Sequence, residues 1–140
     1  MKTIFILIGM LSFATAFSQS KSKKTGVENA IKMYAQLGDK QDAPGFTHLL
    51  HQNYRLVWYG GKDAPFIADK ANFISQFEKK EWGGDERSVQ IESIEIVDEI
   101  NAVAKAILDG QKAQMRSLFT LIKVEGEWKV IGELVNATFK

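Results

Sequence analysis

From Ser88 to the C terminus the chain is written almost entirely in β-favouring residues, and this constrains its fold more than any other feature. The segments Ser88–Asp98, Asn101–Leu108, Gln111–Val124 and Glu127–Phe139 are rich in Val, Ile and Leu and are parted by short turns. The region before them reads with a helical period. Between Gly26 and Gly38, residues Val27, Ala30, Ile31, Tyr34 and Leu37 fall on one helix face, and Thr25 with Glu28 forms a capping box in front of them. A short second helix is predicted over Pro44–His51, presenting Phe46, Leu49 and Leu50, before a strand over Tyr54–Tyr59 that Gly60 and Gly61 end. Asp69 is placed to cap a third helix with Phe73, Ile74 and Phe77 on one face, closed by Gly83 and Gly84. Helices first and a meander after them predict an α+β domain, with three helices packed on one face of an antiparallel sheet.

Two glycine turns set the expected register. Glu125-Gly126 and Asp109-Gly110 each read as two-residue hairpin loops, because glycine supplies the positive φ that such bends demand. Counting outward from Glu125-Gly126 sets Phe119 opposite Gly132, Ser117 opposite Leu134 and Met115 opposite Asn136. Counting from Asp109-Gly110 sets Met115 opposite Ala104. Side chains alternate along a strand, so one face collects Ala102, Ala104, Met115, Ser117, Leu134 and Asn136, apolar and small at one end. The other face mixes charge with aliphatics, and there Arg116 and Glu133 sit diagonally as a cross-strand ion pair. It suits a half-wet surface or a subunit interface.

The first twenty residues have a charged start at Lys2, an apolar run from Ile4 to Phe13 and small residues at Ala16 and Ser18. Residues 1–18 therefore read as a secretory signal peptide, with 19–25 a flexible tail and 26–140 the domain. The apolar run is short for a bilayer span, and no later segment approaches the ~20 apolar residues that one needs. The expected mature chain keeps 122 of the 140 residues, enough for one core. Of 18 basic residues only Lys2 lies in the leader, leaving 17 against 17 acidic, and this balance favours neither nucleic acid nor anionic lipid. The absence of cysteine excludes a disulfide framework and thiol catalysis. A periplasmic or secreted protein is expected, with no membrane attachment after cleavage.

The order of elements, with AIKMYAQLGDKQD (30–42), HQNYRLVWYGG (51–61), DKANFISQFEKK (69–80) and SLFTLIKVEGEWKVIGELV (117–135), resembles the nuclear-transport-factor-2-like superfamily. Within it the look is of the putative lumazine-binding branch, close to the SnoaL-like proteins. The resemblance implies a cone, a strongly curved sheet wrapped around the helices with a pocket between them, often in a dimer built through the outer sheet face. Its members include isomerases, dehydratases and many binding proteins, so function has to be argued from the site.

Ketosteroid isomerase, of that shape, combines a tyrosine on the first helix, an aspartate base at the end of the first strand and a protonated acid on the sheet. Tyr34 matches the first. The base position falls at or beside Trp58, and the strand from Ala113 to Val124 holds no Asp or Glu. His51 with Tyr34 could serve a dehydratase-like lyase or isomerase if Asp63 or Asp69 oriented the imidazole. The structural alternative has His51 bonding the last carbonyls of the second helix. His48 and His51 share a helix face but have no third ligand, so no metal is expected, and no cofactor. For a small apolar or aromatic ligand the expected lining is Tyr34, Trp58, Met115, Ser117, Phe119 and Asn136, an apolar pocket with a few polar fixtures. The expected function is thus small-molecule binding by a secreted or periplasmic homodimer. The alternatives are the lyase or isomerase and a protein-interaction module with a closed pocket.

Overall fold

The computed structural model describes residues 11–60 and 64–140, with side chains from Ser18 onward. The N-terminal ten residues of the expected leader, and Gly61 and Asp63, lie outside the described residues. Three helices, α1 (Leu11–Asp39), α2 (Ala43–Leu49) and α3 (Lys70–Glu78), lie on one face of a six-stranded sheet. The strands are β1 (Leu50–Trp58), β2 (Phe66–Asp69), β3 (Ser88–Ile96), β4 (Asn101–Asp109), β5 (Ala113–Val124) and β6 (Glu127–Phe139), in the order β2-β1-β6-β5-β4-β3. The α+β class and its three helices are as expected. The sheet is mixed, because β1 runs parallel to β6 while the other four ladders are antiparallel. Between β1 and β3 the chain passes through β2 and α3, and β6, the last strand of the β3–β6 meander, closes beside β1.

The helix boundaries differ from expectation for local reasons. Helix α1 continues N-terminally through residues 19–25, so the capping box does not form. Thr25 Oγ instead bonds the Lys21 carbonyl at 2.9 Å, and Glu28 pairs with Lys32 one turn on. Helix α2 is capped by Asp42, which accepts the Gly45 amide at 3.0 Å, and gives way to strand geometry at Leu50. His51 is therefore a strand residue. Asp69 caps α3 as expected, accepting the Asn72 amide at 2.8 Å, and also ends the unforeseen β2.

The core sits between helices and sheet. Tyr34, Phe46, Phe73, Phe77 and Phe119 are all buried and meet edge to face or tilted, save Tyr34 and Phe73, which stack, with ring centres 4.7–5.9 Å apart. Each such side chain contributes about 1.5–3 kcal/mol by leaving water. The small face of β4 sits beneath α1, with Ala102, Ala104 and Ala106 buried.

The two turns behave differently. At Glu125-Gly126 both central residues take positive φ, 50° and 83°, the tight hairpin expected. The Asp109-Gly110 bend is wider: Asp109 pairs with Gln114, and Ala104 with Phe119 rather than Met115. The shift is of four residues, an even number, so every side chain of β4 and β5 keeps its expected face.

On β6 the shift is odd. Val130 still pairs with Leu121 as counted, but Gly132 pairs with Thr120, which leaves Ile131 as an extra residue, a β-bulge. Beyond it Phe119 faces Glu133, Ser117 faces Val135 and Met115 faces Ala137. Glu133 and Val135 turn inward, while Leu134 and Asn136 turn out. The expected Arg116–Glu133 ion pair is thereby overturned: the two side chains are on opposite faces, and Arg116 pairs with Asn136. Gly132 permits the bulge, since a Cβ there would stand 2.6 Å from Thr120 Oγ.

Candidate functional site

Between the helices and the sheet lies a cavity of about 320 Å³. Its walls are aromatic: Phe46 from α2, Phe73 and Phe77 from α3, Trp82 from the segment after α3, Trp58 from β1 and Phe139 from β6. Polar groups reach it at Tyr34, Glu133 and Arg87, with Glu81, Asp85 and Lys112 also contributing to the lining.

Glu133 is the centre of a buried hydrogen-bonded cluster. Tyr34 donates to its Oε2 at 2.5 Å and Ser117 to its Oε1 at 2.5 Å, while the Tyr54 hydroxyl stands 2.9 Å from that of Tyr34 and 3.4 Å from Oε2. Each member comes from a different element, α1, β1, β5 and β6, so the cluster exists only in the folded chain. Burial drives the Glu133 carboxyl above the ordinary glutamate range, against the lowering effect of the Ser117 and Tyr34 hydroxyls, the Arg87 charge and the Tyr54 hydroxyl. Burial, reinforced by the neighbouring acid, also holds both phenols well above their ordinary value. The cluster is a hydrogen-bonding floor, with Tyr34 and Glu133 bordering the open space.

Arg87 stands beside it, its side chain only 9% exposed and its Nε 2.7 Å from Asp39. Asp85 is occupied in a turn, its carboxyl accepting the Lys112 and Gln111 amides, and the Lys112 bond in particular holds it below the ordinary range.

The expected ligand residues divide three ways. Tyr34, Trp58 and Met115 border the cavity. Ser117 and Phe119 are buried behind its lining, Ser117 holding Glu133 and Phe119 packing edge to face on Tyr34 at 5.1 Å. Asn136 is on the far side of the sheet, in a shallow outer hollow of about 330 Å³ with Tyr59, Arg116, Leu118 and Leu134. The bulge at Ile131 is the reason. The Trp58 indole N–H is buried and has no hydrogen-bond partner among the described residues.

Neither histidine borders the cavity. His48 closes α2 on the surface near Glu127, and His51 accepts the Asn53 amide at its Nδ1, so the two do not share a helix face. The carbonyls at the end of α2 are taken by lysines rather than by His51: Lys70 Nζ bonds Thr47 O and Leu50 O at 2.7 Å each, and Lys129 Nζ bonds His48 O at 2.8 Å. Desolvation, with the charge of Lys129 nearby, lowers the Lys70 pKa. Asp69 is spent as a helix cap. Among the described residues no group of three His, Cys, Asp or Glu side chains could hold a metal ion, and no described helix is long and apolar enough to cross a membrane.

Glu133 was missed as a site residue because hairpin counting put it outside. The signal was Gly132: a glycine inside an otherwise β-branched run, Val130-Ile131-Gly132, marks a bulge or a close backbone approach.

Helices covering one face of this sheet, with a pocket between them, define the nuclear-transport-factor-2-like class. Solved structures agree on the fold. An NTF-2 like protein of unknown function from Silicibacter pomeroyi superposes with a TM-score of 0.75 at 13% identity, covering 85% of this chain and 98% of that one. A ketosteroid isomerase-like protein from Erwinia carotovora atroseptica gives 0.64 at 15% identity, over 81% and 94%. A putative scytalone dehydratase from Novosphingobium aromaticivorans gives 0.65 at 18%, over 87% and 88%. No curated protein matches the chain. The profile of the family described as "Putative lumazine-binding" matches residues 22–140, and the chain belongs to that family.

Proposed function

We propose that the protein binds a small, largely apolar or aromatic molecule in the cavity beneath its helices. The observation that carries this reading is the cavity itself: about 320 Å³ of space walled by aromatic rings and floored by the Tyr34–Glu133 pair. A pocket of that size, mostly apolar with a few convergent polar groups, is the usual form of a small-molecule site. The family description, which speaks of lumazine binding, supports the same reading. Val135 borders the cavity from β6, so Val135→Trp should fill it. Two-ring aromatic compounds such as naphthalene should bind the native protein and fail to bind this variant in calorimetric titration. Unchanged binding by the filled variant would place the site elsewhere.

A second reading, a lyase or isomerase, is favoured by one observation. The buried acid on the sheet and the helix tyrosine meet within hydrogen-bonding distance, and two proteins of similar fold are described as ketosteroid isomerase-like and as a putative scytalone dehydratase. In that reading Tyr34 and Glu133 supply acid assistance, and His51, outside the cavity, takes no part. General-base chemistry would further need a base within reach of the substrate, and Glu81 is the exposed carboxylate on the lining.

The chain is also proposed to be exported by a leader spanning residues 1–18 and to pair through the outer sheet face. Exposed Leu134 beside half-buried Leu118 supports the pairing.

A further inference from the structure

Arg87 is held on three sides by strong acceptors or close backbone and on the fourth by a weak one. Asp39, at the end of α1, takes its Nε at 2.7 Å and its backbone amide at 3.2 Å, and the Ala35 carbonyl takes Nη2 at 2.8 Å. Nη2 lies so close over Gly38 that there is no room for a Cβ on that residue. The remaining edge, Nη1, meets the Met115 thioether at 3.6 Å, its one protein acceptor among the described residues. A thioether is a weak acceptor, and a buried guanidinium edge left with one is an incomplete hydrogen-bonding site. Arg87 and Met115 both border the cavity whose other walls include Phe46, Phe73, Phe77 and Trp82.

Resting on the binding function above, we infer that the ligand is a flat aromatic molecule with an acceptor oxygen conjugated to its ring, and that Arg87 Nη1 holds that oxygen in place of the Met115 sulfur. The aromatic walls receive the ring, and the guanidinium, planar and fixed by Asp39 and Ala35, sets its direction. Asp39 already balances the charge of Arg87, so a neutral aryl carbonyl and an aryl carboxylate present the same chemistry to this edge.

Calorimetric titration of the full chain with naphthalene, 2-acetonaphthone and 2-naphthoate tests the assignment. Both oxygen-bearing probes should bind about tenfold to a hundredfold more tightly than naphthalene, the range expected of a hydrogen bond to a charged group. A ketone as tight as the carboxylate identifies a neutral carbonyl ligand, and a tighter carboxylate identifies an anion. Arg87→Lys, which keeps the charge but loses the fork, should collapse the difference between the oxygen-bearing probes and naphthalene. Met115→Leu, nearly volume-conserving, should preserve or widen the difference, and it stands with the native comparison if Arg87→Lys does not fold. Equal binding of all three probes by the native protein, or a difference that survives Arg87→Lys, overturns the oxygen site and leaves the pocket standing. Binding of none of the three overturns both.

Discussion

A buried carboxyl has to be either neutral or well supplied with donors, and Glu133, 5% exposed, has three hydroxyls around it. Tyr34 and Ser117 offer hydroxyls at 2.5 Å to its two oxygens, yet burial prevails and favours the protonated acid. Stability follows from the sign of that shift. The folded state keeps a proton that the unfolded chain has released, so the contribution of Glu133 is complete below the ordinary glutamate pKa and is lost as pH rises through the raised value. Melting temperature should therefore carry a component that falls from about pH 5 upward, and Glu133→Gln, which keeps the shape and can still accept from Tyr34, should flatten it. A thermal-melt series in which native protein and variant show the same slope would contradict the upward shift of the Glu133 carboxyl. The sequence did not reveal this residue. Tyr34 was legible from helical spacing alone, whereas Glu133 required knowing on which side of the sheet it falls.

At the scale of elements, one inserted residue decides that side. Helix spacing located α1 and α3 because their buried faces repeat with the helix period, and Asp69 was readable as a cap because its role is local. Strand faces are less secure, since a shift of one residue inverts every position beyond it. The wide bend after Asp109 moved the β4–β5 pairing by an even count and did no harm, while the bulge at Ile131 moved β5–β6 by one and exchanged Glu133 for Leu134. Gly132 is what lets the strands close there. Gly132→Ala should cost about 1–3 kcal/mol through its collision with the Thr120 hydroxyl. In a Thr120→Ala background the same change should cost clearly less, as a denaturant-based double-mutant cycle would measure. An equal cost in both backgrounds would mean that another contact holds the bulge.

For the whole molecule, the bulge also divides the surfaces. It sends a polar acid into the cavity and sends Leu134, 52% exposed, to the outer face among Leu118, Arg116 and Tyr59. An apolar side chain standing out of a sheet face rimmed by charge is the form of an association surface. Protein recovered from its own host should begin at Gln19 and run in native mass spectrometry at twice the chain mass, and Leu134→Lys should run at the single mass. A chain beginning at Met1 would sink the leader, and a monomeric native protein would sink the pairing.

The sequence by itself determined the class of fold, the three helices, the Glu125-Gly126 hairpin and the family, because periodicity, turn chemistry and motif order are properties of neighbouring residues. Tertiary structure alone decided that β1 lies parallel to β6, that lysines rather than His51 hold the end of α2, and that Glu133 meets Tyr34 and Ser117. Those outcomes depend on partners far apart in the chain, 99 residues in the case of Tyr34 and Glu133, and on a bulge whose only local trace is a single glycine.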